Sequence, residues 1–288
     1  MSRTYETVSF LSDLGERSEH VGVVKAVLRE SAPQVVVIDL THGIEPFDVR
    51  GGSLALARAV PYLTEGIVIA AIDPGAATER RLVAVEVAGG AGIFIGPDNG
   101  LLAPGVALAG GAERAVVLDL DELHLATPGA TFVARDVFAP IAALLCNGTD
   151  LFEVGTEIDS ALLLPGIVPI PREENGGFEC EVLWVDRFGN CQLNVSVDDL
   201  ETAWGTKVER VRVSFGETIR NFVVAQSFAQ LGQGTAGLVV DSSGLLCVAV
   251  DQGSASQQLS LGEGQQVTLQ PGVGEPAVST PITLRPTK

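Results

Sequence analysis

Residues 164–177 read LPGIVPIPREENGG. Three prolines close together, then charge, then a Gly-Gly pair, make a composition that neither helix nor strand sustains, so the stretch reads as a linker. What lies on either side of it differs in kind. Upstream, short apolar runs alternate with helix-like patterns. Downstream, FECEVLWVDRFGNCQLNV, KVERVRVSF, TAGLVVDSSGLLCVAV and QQVTLQP are strand-like runs separated by glycine turns, and helix signals nearly vanish. The chain therefore divides into an α/β domain over residues 1–165, a linker over 166–177 and a smaller all-β barrel domain over 178–288.

Within the upstream half, strands are predicted at ETVSFL (6–11), QVVVIDL (34–40), IVIAAI (67–72), LVAVEV (82–87), GIFIG (92–96) and AVVLDL (115–120). These runs are mostly apolar, with helices between them, which fits a sheet covered on both faces. In SEHVGVVKAVLRES, Val21, Val24 and Leu28 recur at helical spacing. Further helices are predicted at 48–62 and at 136–147, the latter opened by Asp136 as a cap or first-turn acid. No internal repeat is visible.

Composition narrows the class of protein. Of the 288 residues, 46% are hydrophobic, enough for a globular core. No apolar stretch approaches the roughly 20 residues of a membrane span, and MSRTYETVSF carries no secretory pattern, so the expected location is the cytoplasm. The net charge of -18 would repel nucleic acid and anionic lipid and attract a small cation. Cys146, Cys180, Cys191 and Cys247 fit no zinc spacing and are expected to be buried free thiols, with a Cys180–Cys191 disulfide as the second choice. With three histidines well separated in sequence, no metal site is expected. Strand one is followed by SDLGERSEH rather than a glycine-rich phosphate loop, which argues against a bound dinucleotide.

Four polar clusters follow predicted strands, where α/β sheets hold their ligands. FLSDLG (10–15) places Asp13 just past the first strand, where a carboxylate can accept from a ribose diol or simply form a turn. DLTHGI (39–44) supplies Asp39, Thr41 and His42, a set more often structural than catalytic. In IDPGAATERR (72–81), Pro74-Gly75 turns the chain, frees Asp73 from the sheet and allows Arg80 to return beside it. On these residues alone, an ordinary ion pair across a hairpin is the slightly favoured reading. GPDNGLL (96–102) reads as a turn followed by a helix, and Asn99 has amide groups to offer a ligand.

Taken in order, FLSDLG, DLTHGIEPFDVR, IDPGAATERR, GPDNGLL, ATFVARDVFAP (130–140), VDRFGN (185–190) and DSSGLLCVAVDQGSA (241–255) closely resemble the S-adenosyl-L-methionine hydroxide adenosyltransferases, a family related to the S-adenosylmethionine-dependent fluorinase and chlorinase. The likeness spans both domains and the linker. It implies hydrolysis of S-adenosyl-L-methionine to adenosine and methionine, with no cofactor, in a homotrimer. Each substrate would lie between the α/β domain of one subunit and the barrel of its neighbour. Carried across, Asp73 and Arg80 would belong to the catalytic set and Asp13 would hold the ribose. Asn99 is a further substrate-binding candidate. Phe188, Asn190 and Phe228 would surround the adenine, while Asp186 and Ser242 would hold the amino-acid end. The family's third catalytic residue, a histidine, is replaced here by Val133, and His124 lies nine residues upstream.

Three rival readings follow. The halide-using relatives lack the Asp-Pro-Gly run with its arginine, and a carboxylate at residue 73 would repel an incoming halide. A binder of the same nucleoside without chemistry is suggested by Val133. A methyltransferase would need the glycine-rich loop that strand one does not have.

Overall fold

The computed structural model describes residues 3–76, 78–120 and 129–272. Contacts along the chain divide it into two compact units, Met1–Val168 and Pro169–Lys288.

The first unit is built on a seven-stranded sheet. Its strands are β1 (Thr7–Ser12), β2 (Val36–Thr41), β3 (Gly66–Ala71), β4 (Leu82–Val87), β5 (Gly92–Pro97), β6 (Ala112–Leu118) and β7 (Gly155–Glu157), in the order β2-β1-β3-β5-β4-β6-β7. β1, β2, β3 and β5 run parallel to one another, and β4, β6 and β7 pair antiparallel. β3, β4 and β5 are buried at every position, which explains their apolar runs; the exception, Glu86 in β4, is paired with Arg114.

Alternation along β3 shows how the layers form. Ile67 and Ile69 join one core with Phe10 and Phe138, while Val68, Ala70 and Ile72 join a second with Phe94 and Leu101. Helices α1 (His20–Ser31) and α4 (Ala139–Cys146) supply the first core, and α2 (Val49–Ala59) and α3 (Ala103–Leu108) the second. Each buried side chain of this size contributes about 1.5–3 kcal/mol, and two such layers make the sheet the rigid centre of the unit. Helix α2 starts where Asp48 accepts the Gly51 amide at 2.8 Å, a cap worth about 1 kcal/mol.

Several boundaries differ from expectation for physical reasons. Asp136 is a first-turn acid rather than the cap, the second of the two roles expected of it. It lies within a π-helical turn, Ala134–Phe138, paired with the neighbouring Arg135 at 2.5 Å, and α4 follows directly. Helix α3 follows the GPDNGLL turn as expected, whereas strand β7, three residues at a sheet edge, lacked a sequence signal. All four cysteines are buried and free, so the Cys180–Cys191 disulfide is not formed. His124 lies outside the described residues.

The second unit is a closed barrel of seven strands. Its strands are β9 (Gly177–Val185), β10 (Cys191–Ser196), β11 (Arg210–Phe215), β12 (Thr218–Ala225), β13 (Ala236–Val240), β14 (Leu245–Val250) and β15 (Gln266–Pro271). The order β9-β10-β14-β13-β12-β11-β15 returns to β9, so no barrel edge is left open. Only the β12–β13 pair is parallel. β11 alternates half-buried and buried residues, the period-two pattern of a strand with one face inward. A short strand β8 (Arg172–Glu174) pairs with the start of β9, so part of the stretch read as linker is sheet. Two short helices, α5 (Val197–Trp204) and α6 (Ala255–Leu259), complete the unit; α5 opens with a Ser196–Asp199 capping box.

Candidate active site

Parallel strands β1, β2, β3 and β5 all end at one edge of the first sheet, and all four polar clusters sit there. From β1 the chain moves outward to β2, then crosses to β3 on the other side of β1. The β1–β3 seam is therefore a topological switch point, where open α/β sheets leave a crevice beyond the strand ends. Asp13 follows β1 and Asp73 follows β3, on adjacent strands flanking that seam.

Asp73 and Arg80 meet as the sequence suggested. Arg80 Nε lies 2.9 Å from Asp73 Oδ1, with the carboxylate 8% and the guanidinium 31% exposed. Because β5 lies between β3 and β4, the 72–81 loop is a crossover above β5 and not a hairpin. Asp73 Oδ1 also accepts the Gly75 amide at 2.8 Å, which ties the turn to the side chain it presents. A Cβ at residue 75 would stand 2.7 Å from Arg80 Nε, so a side chain there would push the guanidinium aside. The glycine is there to let the guanidinium fold over the turn.

The contact is an ion pair by proximity rather than a directed hydrogen bond, for the Arg80 Nε–H has no hydrogen-bond acceptor among the described residues. Asp73 Oδ2 is also buried without a partner among them. The pair therefore presents one buried acceptor and one buried donor that no described residue satisfies.

Asn99 is more committed than its sequence suggested. Its amide nitrogen donates to the Ile72 carbonyl at 3.0 Å and its oxygen accepts from Leu101 N at 3.1 Å. It thus clamps the residue immediately before Asp73. Asp98 is paired with Arg81 and accepts Leu164 N at 2.8 Å, so it anchors the loop leaving the sheet.

Asp13 is half-buried, and its Oδ2 accepts the Phe47 amide at 2.8 Å. Phe47 has φ 70° and is 69% exposed. A bulky residue in the left-handed region costs about 1–3 kcal/mol, and an exposed phenyl ring beside a carboxylate is a feature that sequence reading missed. Its only signal was the Glu-Pro-Phe-Asp run before α2. Behind Asp13, Ser12 Oγ lies 2.8 Å from His42 Nδ1, His42 Nε2 lies 3.1 Å from Asp39 Oδ1, and Lys25 Nζ lies 2.5 Å from Asp39 Oδ2. Burial works to raise the Asp39 pKa, but hydrogen bonds from Lys25 and His42 outweigh it and hold the carboxyl below its ordinary value.

In the barrel, Asp186, Phe188, Asn190 and Phe228 line one cavity of about 620 Å³, together with Val250, Gln252 and Gly253. The last three were not named from the sequence; the Asp-Gln-Gly turn that places Gln252 at φ 54° was their only trace. Asp186 is the knot of this loop. It accepts from Phe188 N at 2.8 Å, Asn190 N at 2.9 Å and Asn190 Nδ2 at 2.8 Å. Gly189 completes the turn at φ 82°, and a Cβ there would lie 2.0 Å from Ser254 Oγ. Phe188 is 77% and Phe228 44% exposed, two aromatic rings facing open space. Ser242 stands exposed on the turn between β13 and β14, and is not among the residues lining this cavity.

Other chemistries find little support. Burial pushes the Cys146 and Cys180 thiols up to about 12 and that of Cys191 to about 11, so none is poised as a thiolate. Among the described residues, no group of three or more His, Cys, Asp or Glu could hold a metal ion. Among them, too, no helix is long and apolar enough to cross a membrane. Val133 is half-buried, packs on the core of the first unit and leads into the π-helical turn.

Comparison with known proteins gives a consistent result. Residues 8–155 match the N-terminal domain model, and residues 180–268 the C-terminal domain model, of the SAM hydroxide adenosyltransferases. A protein of Thermus thermophilus named (R)-S-adenosyl-L-methionine hydrolase is 40% identical over 273 residues, covering 91% of this chain and 98% of its own. One of the same name from Salinispora arenicola is 38% identical over 265 residues, covering 92% and 98%. The crystal structure of an uncharacterised conserved protein from Thermotoga maritima superposes with a TM-score of 0.84 at 33% identity, covering 91% and 99%. A protein of an Actinoplanes species named fluorinase is more distant, 27% identical over 288 residues, covering 91% of this chain and 96% of its own. Matched in both domains and along nearly its whole length, the chain belongs to the SAM hydroxide adenosyltransferase family.

Proposed function

We propose that this protein hydrolyses S-adenosyl-L-methionine to adenosine and L-methionine, and that Asp73 and Arg80 prepare the attacking water. The observation that carries the reading is the Asp73–Arg80 pair at the switch point, with one carboxylate oxygen buried and unpartnered among the described residues. A water held there would donate to Asp73 Oδ2 and accept from the guanidinium. The arginine's charge stabilises developing hydroxide, and the carboxylate orients the water and takes its proton.

The chemistry suits so sparse a site. The new bond runs from the water oxygen to C5′; the C5′–S bond breaks, and its electron pair returns to sulfur, which leaves as the neutral thioether of methionine. Positive charge is dispersed in the transition state, so alignment and a dry environment matter more than strong fixed dipoles. Holding the water in line could supply roughly 7–11 kcal/mol at best. No metal or redox cofactor takes part in this reading.

Substrate contacts are proposed on the same footing. Asp13 accepts from the ribose hydroxyls, and Asn99 holds the strand end from which Asp73 projects. Phe188, Asn190 and Phe228 enclose the adenine, with Asp186 tying their loop. Ser242 and Asp186 serve the amino-acid end. The first set lies in the α/β unit and the second in the barrel; the homotrimer, in which a neighbouring copy's barrel completes each site, is proposed from the family resemblance. Four free, buried cysteines fit a reducing compartment, in line with a cytoplasmic enzyme.

The test is to incubate purified protein with S-adenosyl-L-methionine in oxygen-18 water, offering each sulfonium epimer separately. The relatives' name leads us to expect turnover of the (R) epimer, with the label on the adenosine 5′ oxygen. Unlabelled adenosine would refute attack by water. Chlorinated adenosine in the presence of chloride would move the chain to the halide-using branch, and tight binding with no product would make it a binder.

A further inference from the structure

The Ser12–His42–Asp39–Lys25 chain has the composition of a hydrolytic triad with a lysine behind it, yet it cannot supply a nucleophile. Ser12 is 0% and His42 6% exposed, so the hydroxyl never meets a substrate. What the chain does touch is the loop that carries Asp13. Ser12 precedes Asp13 in sequence, and Ser12 Oγ accepts Leu14 N at 3.3 Å on its other side. The His42 carbonyl accepts Gly15 N at 2.9 Å. Asp13 is thus bracketed by residues 12, 14 and 15, each tied to His42 directly or through Ser12. The imidazole itself is fixed by packing, edge-on against the Phe10 ring at 4.7 Å.

With His42 neutral, hydrogen-bond polarity follows from the acceptor at one end. Asp39 in its ionised form can only accept, so His42 carries a proton on Nε2 and donates it to Oδ1. In the neutral ring, Nδ1 is then an acceptor, Ser12 donates its hydroxyl proton to it, and Leu14 N–H donates to the lone pair left on Ser12 Oγ. Every group in the buried part of the chain is satisfied once. Lys25 closes the series at the surface by pairing with the second oxygen of Asp39.

We propose that His42 is a positioning residue for substrate recognition: through Ser12 it fixes the loop at the end of β1 so that the Asp13 carboxylate meets the ribose diol. This rests on the assignment of Asp13 to the ribose, made above. A carboxylate whose loop is loose still carries its charge but loses the directed pair of hydrogen bonds, so what should suffer is discrimination for the diol rather than the chemical step.

The experiment compares the affinities of adenosine and 2′,3′-dideoxyadenosine by calorimetry, alongside kcat and KM for S-adenosyl-L-methionine. In the unaltered protein the ribose preference is expected to be about tenfold or more, the effect of hydrogen bonds to a charged acceptor. Ser12→Ala and His42→Ala should reduce that preference to near unity and raise KM, with kcat changed far less. His42→Asn, whose amide oxygen can stand where Nδ1 accepts from Ser12, should restore most of the preference. General loss of stability would weaken both ligands alike and leave the ratio intact. A ribose preference in Ser12→Ala equal to that of the unaltered protein overturns the proposal, even if His42→Ala does not fold. Should the unaltered protein neither bind adenosine nor turn over S-adenosyl-L-methionine, it is the assignment of function that fails instead.

Discussion

At the scale of single residues, the decisive group is the Asp73 carboxylate. Its Oδ1 is occupied by Gly75 N and Arg80, while Oδ2 has no partner among the described residues. Asp73→Asn keeps the shape and can still accept a hydrogen bond, but it cannot take a proton and no longer balances Arg80. We expect adenosine release to fall by about 10²–10⁴-fold, the usual contribution of a general base, while substrate affinity changes little. Single-turnover rates and calorimetry on the same preparation check this, and full activity in the variant would remove Asp73 from the mechanism. This pairing was legible in the sequence because Pro-Gly enforces a turn and Arg80 returns seven residues later. The commitments of Asn99 and Asp186 to backbone amides and carbonyls were not legible, because they depend on which loop atoms a turn brings within 3 Å, not on residue type.

Among elements, the link that matters is between the end of β5 and the end of β3. Asn99 follows β5, and its amide supplies a hydrogen bond to the Ile72 carbonyl, in a residue that is itself fully buried. Asn99→Ala leaves that carbonyl unmatched, at a cost of about 1–3 kcal/mol in denaturant unfolding. The loss falls one residue from Asp73, so kcat should drop with it. Asn99→Asp separates the two contributions: it keeps an oxygen for Leu101 N but offers no donor to Ile72, and is expected to behave like the alanine variant. An aspartate variant with unaltered stability and kcat would show that the Ile72 link is dispensable. The strands themselves were readable, as with IVIAAI, because continuous burial on two faces demands continuous apolar sequence. Strand β7 was not, since an element of three residues is set by its packing partners more than by periodicity.

Considered as a whole, the molecule joins two folds with separate cores and carries a net charge of -18. The division at the proline-rich stretch was plain from the disappearance of helical spacing, whereas barrel closure through β9 and β15 was not, because pairing between strands some ninety residues apart leaves no local mark. The charge has a consequence for encounter. S-adenosyl-L-methionine bears a net charge of +1 at neutral pH, from sulfonium and ammonium against one carboxylate, while adenosine is neutral. Near the reacting centre, Arg80 is balanced by Asp73, so the attraction comes from the surface as a sum. That attraction reaches about 10 Å at 0.1 M salt and only about 3 Å at 1 M. We therefore expect kcat/KM for S-adenosyl-L-methionine to fall several-fold between about 0.01 M and 1 M sodium chloride, with kcat at saturation and adenosine affinity nearly constant. Equal salt sensitivity of adenosine and S-adenosyl-L-methionine would point to an effect on the fold, and a flat profile for both would mean that the acidic surface serves solubility alone.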